Sequence, residues 1–101
     1  MKAIIKKVGE APQVVNLENT LEAVQKAVGG YIEVLRIDRN LLMICDEEGK
    51  LKGKSYNFDF GHDIIVGDVL FVQSDGEDFT DLNETNIETV LKYFSKTPYQ
   101  A

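Results

Sequence analysis

The sequence predicts an α+β domain: a twisted mixed or antiparallel sheet of about five strands with two helices on one face. Three observations lead there. Two segments carry apolar residues at helical spacing, Leu21, Val24 and Val28 in the first and Ile87, Val90, Leu91 and Phe94 in the second. Several short runs of valine, isoleucine and leucine stand between turn residues, as strands do. Each helix has one apolar stripe to bury, a demand met by laying both on one side of a sheet.

In chain order, Lys2 to Val8 reads as a strand, Gly9-Glu10-Ala11-Pro12 as a turn and Gln13 to Glu18 as a second strand, together an antiparallel hairpin. Asn19-Thr20-Leu21-Glu22 opens the first helix: Asn19 accepts from first-turn amides, and Glu22, three residues on, reaches back in a capping box. Gly29-Gly30 closes it by permitting a left-handed turn. Tyr31 to Ile37 leaves as a strand and Asp38-Arg39-Asn40 reverses the chain. Leu41 to Asp46 is so evenly apolar that it predicts a central strand buried on both faces. After the Glu47-Glu48-Gly49-Lys50 turn, Leu51 to Asp63 is the least regular part. Ile64 to Val72 is strand-like, with Gly67-Asp68 marking a bulge or a break into two strands. Ser74-Asp75-Gly76-Glu77 turns the chain, and Asp78 to Asp81 adds a short edge strand. Asn83 caps the last helix, Lys92 and Lys96 sit near its negative end, and Thr97-Pro98 stops it.

With 101 residues, 44% of them apolar, the chain forms one domain over 1–101 with one modest core. Its net charge of −6 argues against a nucleic-acid backbone as partner, because phosphates need a basic field. No apolar run reaches membrane-span length, and Lys6-Lys7 interrupts the start too soon for a signal-peptide core, so a cytoplasmic protein with no membrane association is expected. A lone Cys45 fits a reducing compartment.

Reactive chemistry finds little footing. His62, the only histidine, has Asp63 beside it to orient its ring, yet no second histidine or serine nucleophile motif gives the pair a task, so the segment reads as a solvated loop. Cys45 and His62 lack zinc-ligand spacing, and Cys45 reads as a buried thiol. The acidic run of Asp75, Glu77, Asp78 and Asp81 has its glycine in the wrong place for a calcium loop. Neither Gly29-Gly30 nor Gly49 to Lys54 makes a phosphate-cradling loop before a helix, so no cofactor is expected.

One stretch stands out. In Lys50 to Gly61, Lys50, Lys52 and Lys54 alternate, as do Tyr56, Phe58 and Phe60, with Asn57 among them. If extended, the lysines share one side, a basic and aromatic surface suited to an anionic ring-bearing ligand or an acidic protein. A lysine-protected edge strand with its aromatics packed inward explains the same pattern.

The run Leu17 to Val34, with its helix and Gly29-Gly30 closure, resembles domain-of-unknown-function family 3846. Asn40 to Lys50, Ile64 to Leu70 and the last helix are also similar to it. The resemblance implies an accessory protein of bacteriophages or bacterial mobile elements and brings no catalytic residues. Where many relatives carry a Pro-Asn-Arg-like segment, this chain has Ser55-Tyr56-Asn57-Phe58-Asp59, so only Asn57 matches. Two function classes follow. The first is a non-enzymatic protein that binds a host protein, in host takeover or anti-defence. The alternative is a homo-oligomer that sequesters a small anionic signalling nucleotide, with Arg36, Arg39 and the three lysines contacting phosphate. An enzyme using His62 is a distant third.

Overall fold

The computed structural model describes residues 1–95. Its elements are β1 (Lys2–Lys6), β2 (Gln13–Asn16), α1 (Leu21–Val28), β3 (Ile32–Arg36), β4 (Leu41–Asp46), β5 (Tyr56–Phe60), β6 (Asp63–Val66), β7 (Val69–Asp75), β8 (Asp78–Thr80) and α2 (Glu84–Ser95). The main sheet runs β2-β1-β7-β4-β3, and β8 pairs the far half of β7, continuing the line of β1. Every pairing is antiparallel. The α+β class is as expected, the β1–β2 hairpin forms, and Gly67, at φ +74°, splits the long apolar run into β6 and β7. Lys96, Thr97 and Pro98, assigned above to the end of the last helix, lie outside the described residues.

The helices do not share a face. Val24 and Val28 of α1 pack on Leu42, Ile44, Leu70 and Val72, whereas Val90 and Phe94 of α2 pack on Leu41, Met43, Cys45, Val69 and Phe71. The reason lies in β4, where all six residues are buried. Its successive side chains point to opposite faces, so an unbroken apolar strand needs cover on both. The β5–β6 hairpin joins α2 on that side, contributing Phe58 and Ile65. Phe94 ties the layers together, edge-on to Phe58 at 4.9 Å and to Phe71 at 5.8 Å.

Two local expectations change. Thr20, not Asn19, caps α1: its hydroxyl accepts from the Ala23 amide at 3.1 Å, while the Asn19 amide donates to the Phe79 carbonyl. Asn19 is thus free to stitch the helix entrance to β8. Leu21 is 57% exposed, so the buried stripe of α1 is Val24 and Val28 only. Leu91 of α2 is likewise exposed on the rim of its stripe. Gly29 and Asn83 act as read: Gly29 turns left-handed with its amide on the Gln25 carbonyl, and Asn83 accepts from the Asn86 amide at 2.8 Å.

Candidate functional site

Residues 47–53 form turns, not an extended strand. Amides of Gly49, Lys52, Gly53 and Lys54 bond back to carbonyls three to five residues earlier, so the three lysines do not line one side. Lys50 pairs with Asp63 at 2.7 Å, both side chains in water. Lys52 and Lys54 turn inward to one carboxylate, that of Asp46, at 2.9 and 2.8 Å. The Asp46 side chain is 1% exposed. It also accepts from the Glu48 amide, and the Lys54 ammonium donates to the Val28 carbonyl at 2.7 Å. The C-terminus of α1 carries partial negative charge on such carbonyls, which accounts for two cations meeting one acid.

The fit depends on missing side chains. A Cβ on Gly30 would stand 2.6 Å from both Asp46 carboxylate oxygens, and one on Gly67 would stand 2.8 Å from Lys54 Cδ. Burial alone would raise the Asp46 pKa. The hydrogen bonds from Lys52, Lys54 and the Glu48 amide outweigh it and hold the carboxyl well below the usual carboxylate range.

The aromatic alternation breaks as well. A register shift between Tyr56 and Phe58 turns both Asn57 and Phe58 inward. Phe58 belongs to the core, and Tyr56 is half-exposed. Asn57 closes a buried polar knot: Oδ1 accepts from the Lys6 ammonium at 2.8 Å, and Nδ2 donates to the carbonyls of Lys6 and Gly67. Burial depresses the Lys6 pKa, partly offset by Asp68 and Glu10. The matching Asn57 is therefore part of the frame that holds the β5–β6 hairpin to β1. Arg36 lies opposite Leu42, at the other end of the β3–β4 ladder from Asp46, and its guanidinium donates to the Arg39 carbonyl. Arg39 is exposed in the reversal. The arginines and the lysines are thus not brought together by this fold.

What the fold does assemble is a cleft of about 260 Å³ between β3 and the β5–β6 hairpin, lined by Glu33, Leu35, Cys45, Glu47, Leu51 and Ile64 among others. The Cys45 thiol donates to Glu33 at 3.7 Å, and burial with the Glu33 charge pushes its pKa up to about 11. Such a thiol is a poor nucleophile at neutral pH. His62 sits exposed in the β5–β6 turn, and its neighbour Asp63 holds Lys50. In the acidic run, Asp81 accepts from the Lys2 amide. Among the described residues no group of three or more His, Cys, Asp or Glu side chains is placed to hold a metal ion, and no helix is long and apolar enough to cross a membrane.

The cleft has one signal in the sequence: Leu51, an apolar residue inside a charged turn, is 87% exposed at its rim. β3 ends the strand order of the main sheet beside this cleft, a placement that follows only from topology. A family model described as "Domain of unknown function (DUF3846)" matches residues 1–95. Neither the curated proteins nor the solved structures gave a match.

Proposed function

The chain belongs to the DUF3846 family, and for this member we propose a non-enzymatic protein that acts by binding a partner protein. The observation that carries this reading is the set of large apolar side chains standing in water around one sheet edge: Tyr31 at 69%, Val34 at 43%, Leu51 at 87% and Ile64 at 46% exposure. Apolar surface left around a structured edge is what a partner covers. The reactive groups point the same way, since the Cys45 thiol is protonated at neutral pH and Asp46 is held by two lysines. The host-takeover or anti-defence setting implied by the resemblance is the context in which such a binder would work.

Nucleotide sequestration takes second place. Its phosphate contacts would have to come from Lys50, Lys52 and Lys54, each already bonded to a carboxylate, and from arginines at the other end of β3. Photo-crosslinking in the producing cell tests the first reading, with a photoreactive residue at position 34, 51 or 88. Discrete protein adducts are expected from 34 and 51 but not from 88, where Glu88 is exposed on α2. Equal adducts at all three positions, or a turnover that requires His62 or Cys45, would refute it.

A further inference from the structure

We infer that the β3 edge and its cleft capture an extended polypeptide segment bearing basic side chains at alternate positions, which joins the sheet as an added strand. This rests on the protein-binding reading above and names the partner chemistry for that surface. β3 ends the strand order, with β4 on one side and no other strand on its far side among the described residues. The Glu47 amide bonds to the Tyr31 carbonyl and the Ile37 amide to the Leu41 carbonyl. Those two pairs fix the alternation: odd-numbered residues of β3 bond to β4, and the backbone groups of Ile32, Val34 and Arg36 face outward. An incoming strand meets three residues' worth of donors and acceptors in ladder geometry.

The side chains set its chemistry. Glu33 pairs with Cys45 across the ladder and lies on the cleft side, with Leu35 two residues on. A residue of the added strand opposite Glu33 projects its side chain onto that same face, within contact distance. Lys50, the lysine of the cleft lining, is taken by Asp63, whereas Glu33 and Glu47 form no ion pair among the described residues. On the cleft face the uncompensated charge is therefore negative, in a protein of net charge −6, while Arg36, of opposite parity to Glu33, stands on the other face of β3. A lysine or arginine entering here lays its aliphatic stem along Leu35, Leu51 and Ile64 and brings its cation to Glu33 or Glu47. Acidic strands are rejected by the same two residues.

The probe is a fluorescein-labelled peptide in which lysine and valine alternate, measured by fluorescence anisotropy against the whole chain. One comparison peptide has glutamate for lysine, and another keeps the lysines but carries N-methyl groups on alternate amides. The lysine peptide is expected to bind, and N-methylation to weaken it by about tenfold or more through lost main-chain hydrogen bonds. Glu33→Lys with Glu47→Lys should weaken it by at least about tenfold. Val34→Pro should abolish binding while leaving the fold intact, because the Val34 N–H makes no ladder bond and proline is tolerated at such edge positions. Hydrogen exchange should show new protection at Ile32, Val34 and Arg36. Equal affinity for the methylated peptide means attraction to an acidic surface alone and overturns the added strand. Equal affinity for the glutamate peptide overturns the basic specificity. Sedimentation showing a dimer that Val34→Pro dissociates overturns the proposal in favour of a second copy on this edge. Discrete adducts at positions 34 and 51 with no lysine-peptide binding leave a partner protein in place and remove only this mode of capture.

Discussion

Asp46→Asn keeps the volume of the side chain and removes its charge, so it isolates what the two lysines hold. The carboxylate accepts from Lys54 at 2.8 Å, Lys52 at 2.9 Å and the Glu48 amide at 2.9 Å. A hydrogen bond to a charged group contributes about 1.5–3 kcal/mol. Lys52 is 42% exposed and can turn to water, so it carries little of the loss. Lys54 is 23% exposed and stays against the Val28 carbonyl, which leaves most of the loss on that pair. Together the substitution should cost about 2–3 kcal/mol, and a domain of this size then melts roughly 10–20 °C lower. Urea denaturation at neutral pH reads the difference. The folded carboxyl titrates below its unfolded counterpart, so its contribution is complete above the unfolded value of about 3.9 and is lost as pH falls toward the folded one. The gap between the parent and Asp46→Asn should therefore narrow below about pH 4. A double-mutant cycle with Lys54→Met should give a coupling of about 1 kcal/mol or more, and one with Lys52→Met a value near zero. A variant within about 0.5 kcal/mol of the parent at neutral pH, or a gap that widens in acid, would refute the reasoning.

Three further outcomes are expected. Thr20→Ala should destabilise by about 1 kcal/mol in thermal melts through loss of the α1 cap, with Asn19→Ala costing less because its bond to Phe79 is exposed. Asn57→Ala should cost about 3 kcal/mol, since it strands the buried Lys6 and Gly67 carbonyls and removes an acceptor from the Lys6 ammonium; the loss of chemical-shift dispersion in β5 and β6 would report it alongside denaturation. Cys45 should alkylate with iodoacetamide far more slowly in the folded than in the urea-unfolded chain at neutral pH, its rate rising toward about pH 11. Because the folded thiol's pKa is raised, its small contribution to stability is whole below about pH 8.5 and fades as pH climbs toward the folded value.

Much of the fold was legible because its signals are local. The six-residue apolar run of β4 announced a strand buried on both faces, Gly67 announced the break between β6 and β7, and Asn83 the start of α2. What a helix covers is not local. Each helix shows one stripe whichever face it lies on, and only the two-sided burial of β4 and β7 required α1 and α2 on opposite faces. The choice of Thr20 over Asn19 as cap also turned on a distant partner, the Phe79 carbonyl, which gives Asn19 another bond. The lysine pattern misled for a similar reason. Alternation places side chains on one side only in an extended chain, and the bonds of Gly49, Lys52 and Gly53 wind that segment into turns.

The fate of those lysines bears directly on what the surface can recognise. A charged side chain is read as outward-facing by default, because burial of an unpaired charge is costly. Here Asp46 and the last carbonyls of α1 form a buried negative site, and Lys52 and Lys54 satisfy it. Lys54 is therefore engaged against the frame, Lys52 shares the same carboxylate from a half-exposed position, and Lys50 is matched by Asp63. The unpaired charge left on the cleft face of β3 is that of Glu33 and Glu47, opposite in sign to what the Lys50 to Lys54 pattern suggested. If the added-strand inference holds, a partner on this face brings positive charge, and a phosphate-bearing ligand meets repulsion there.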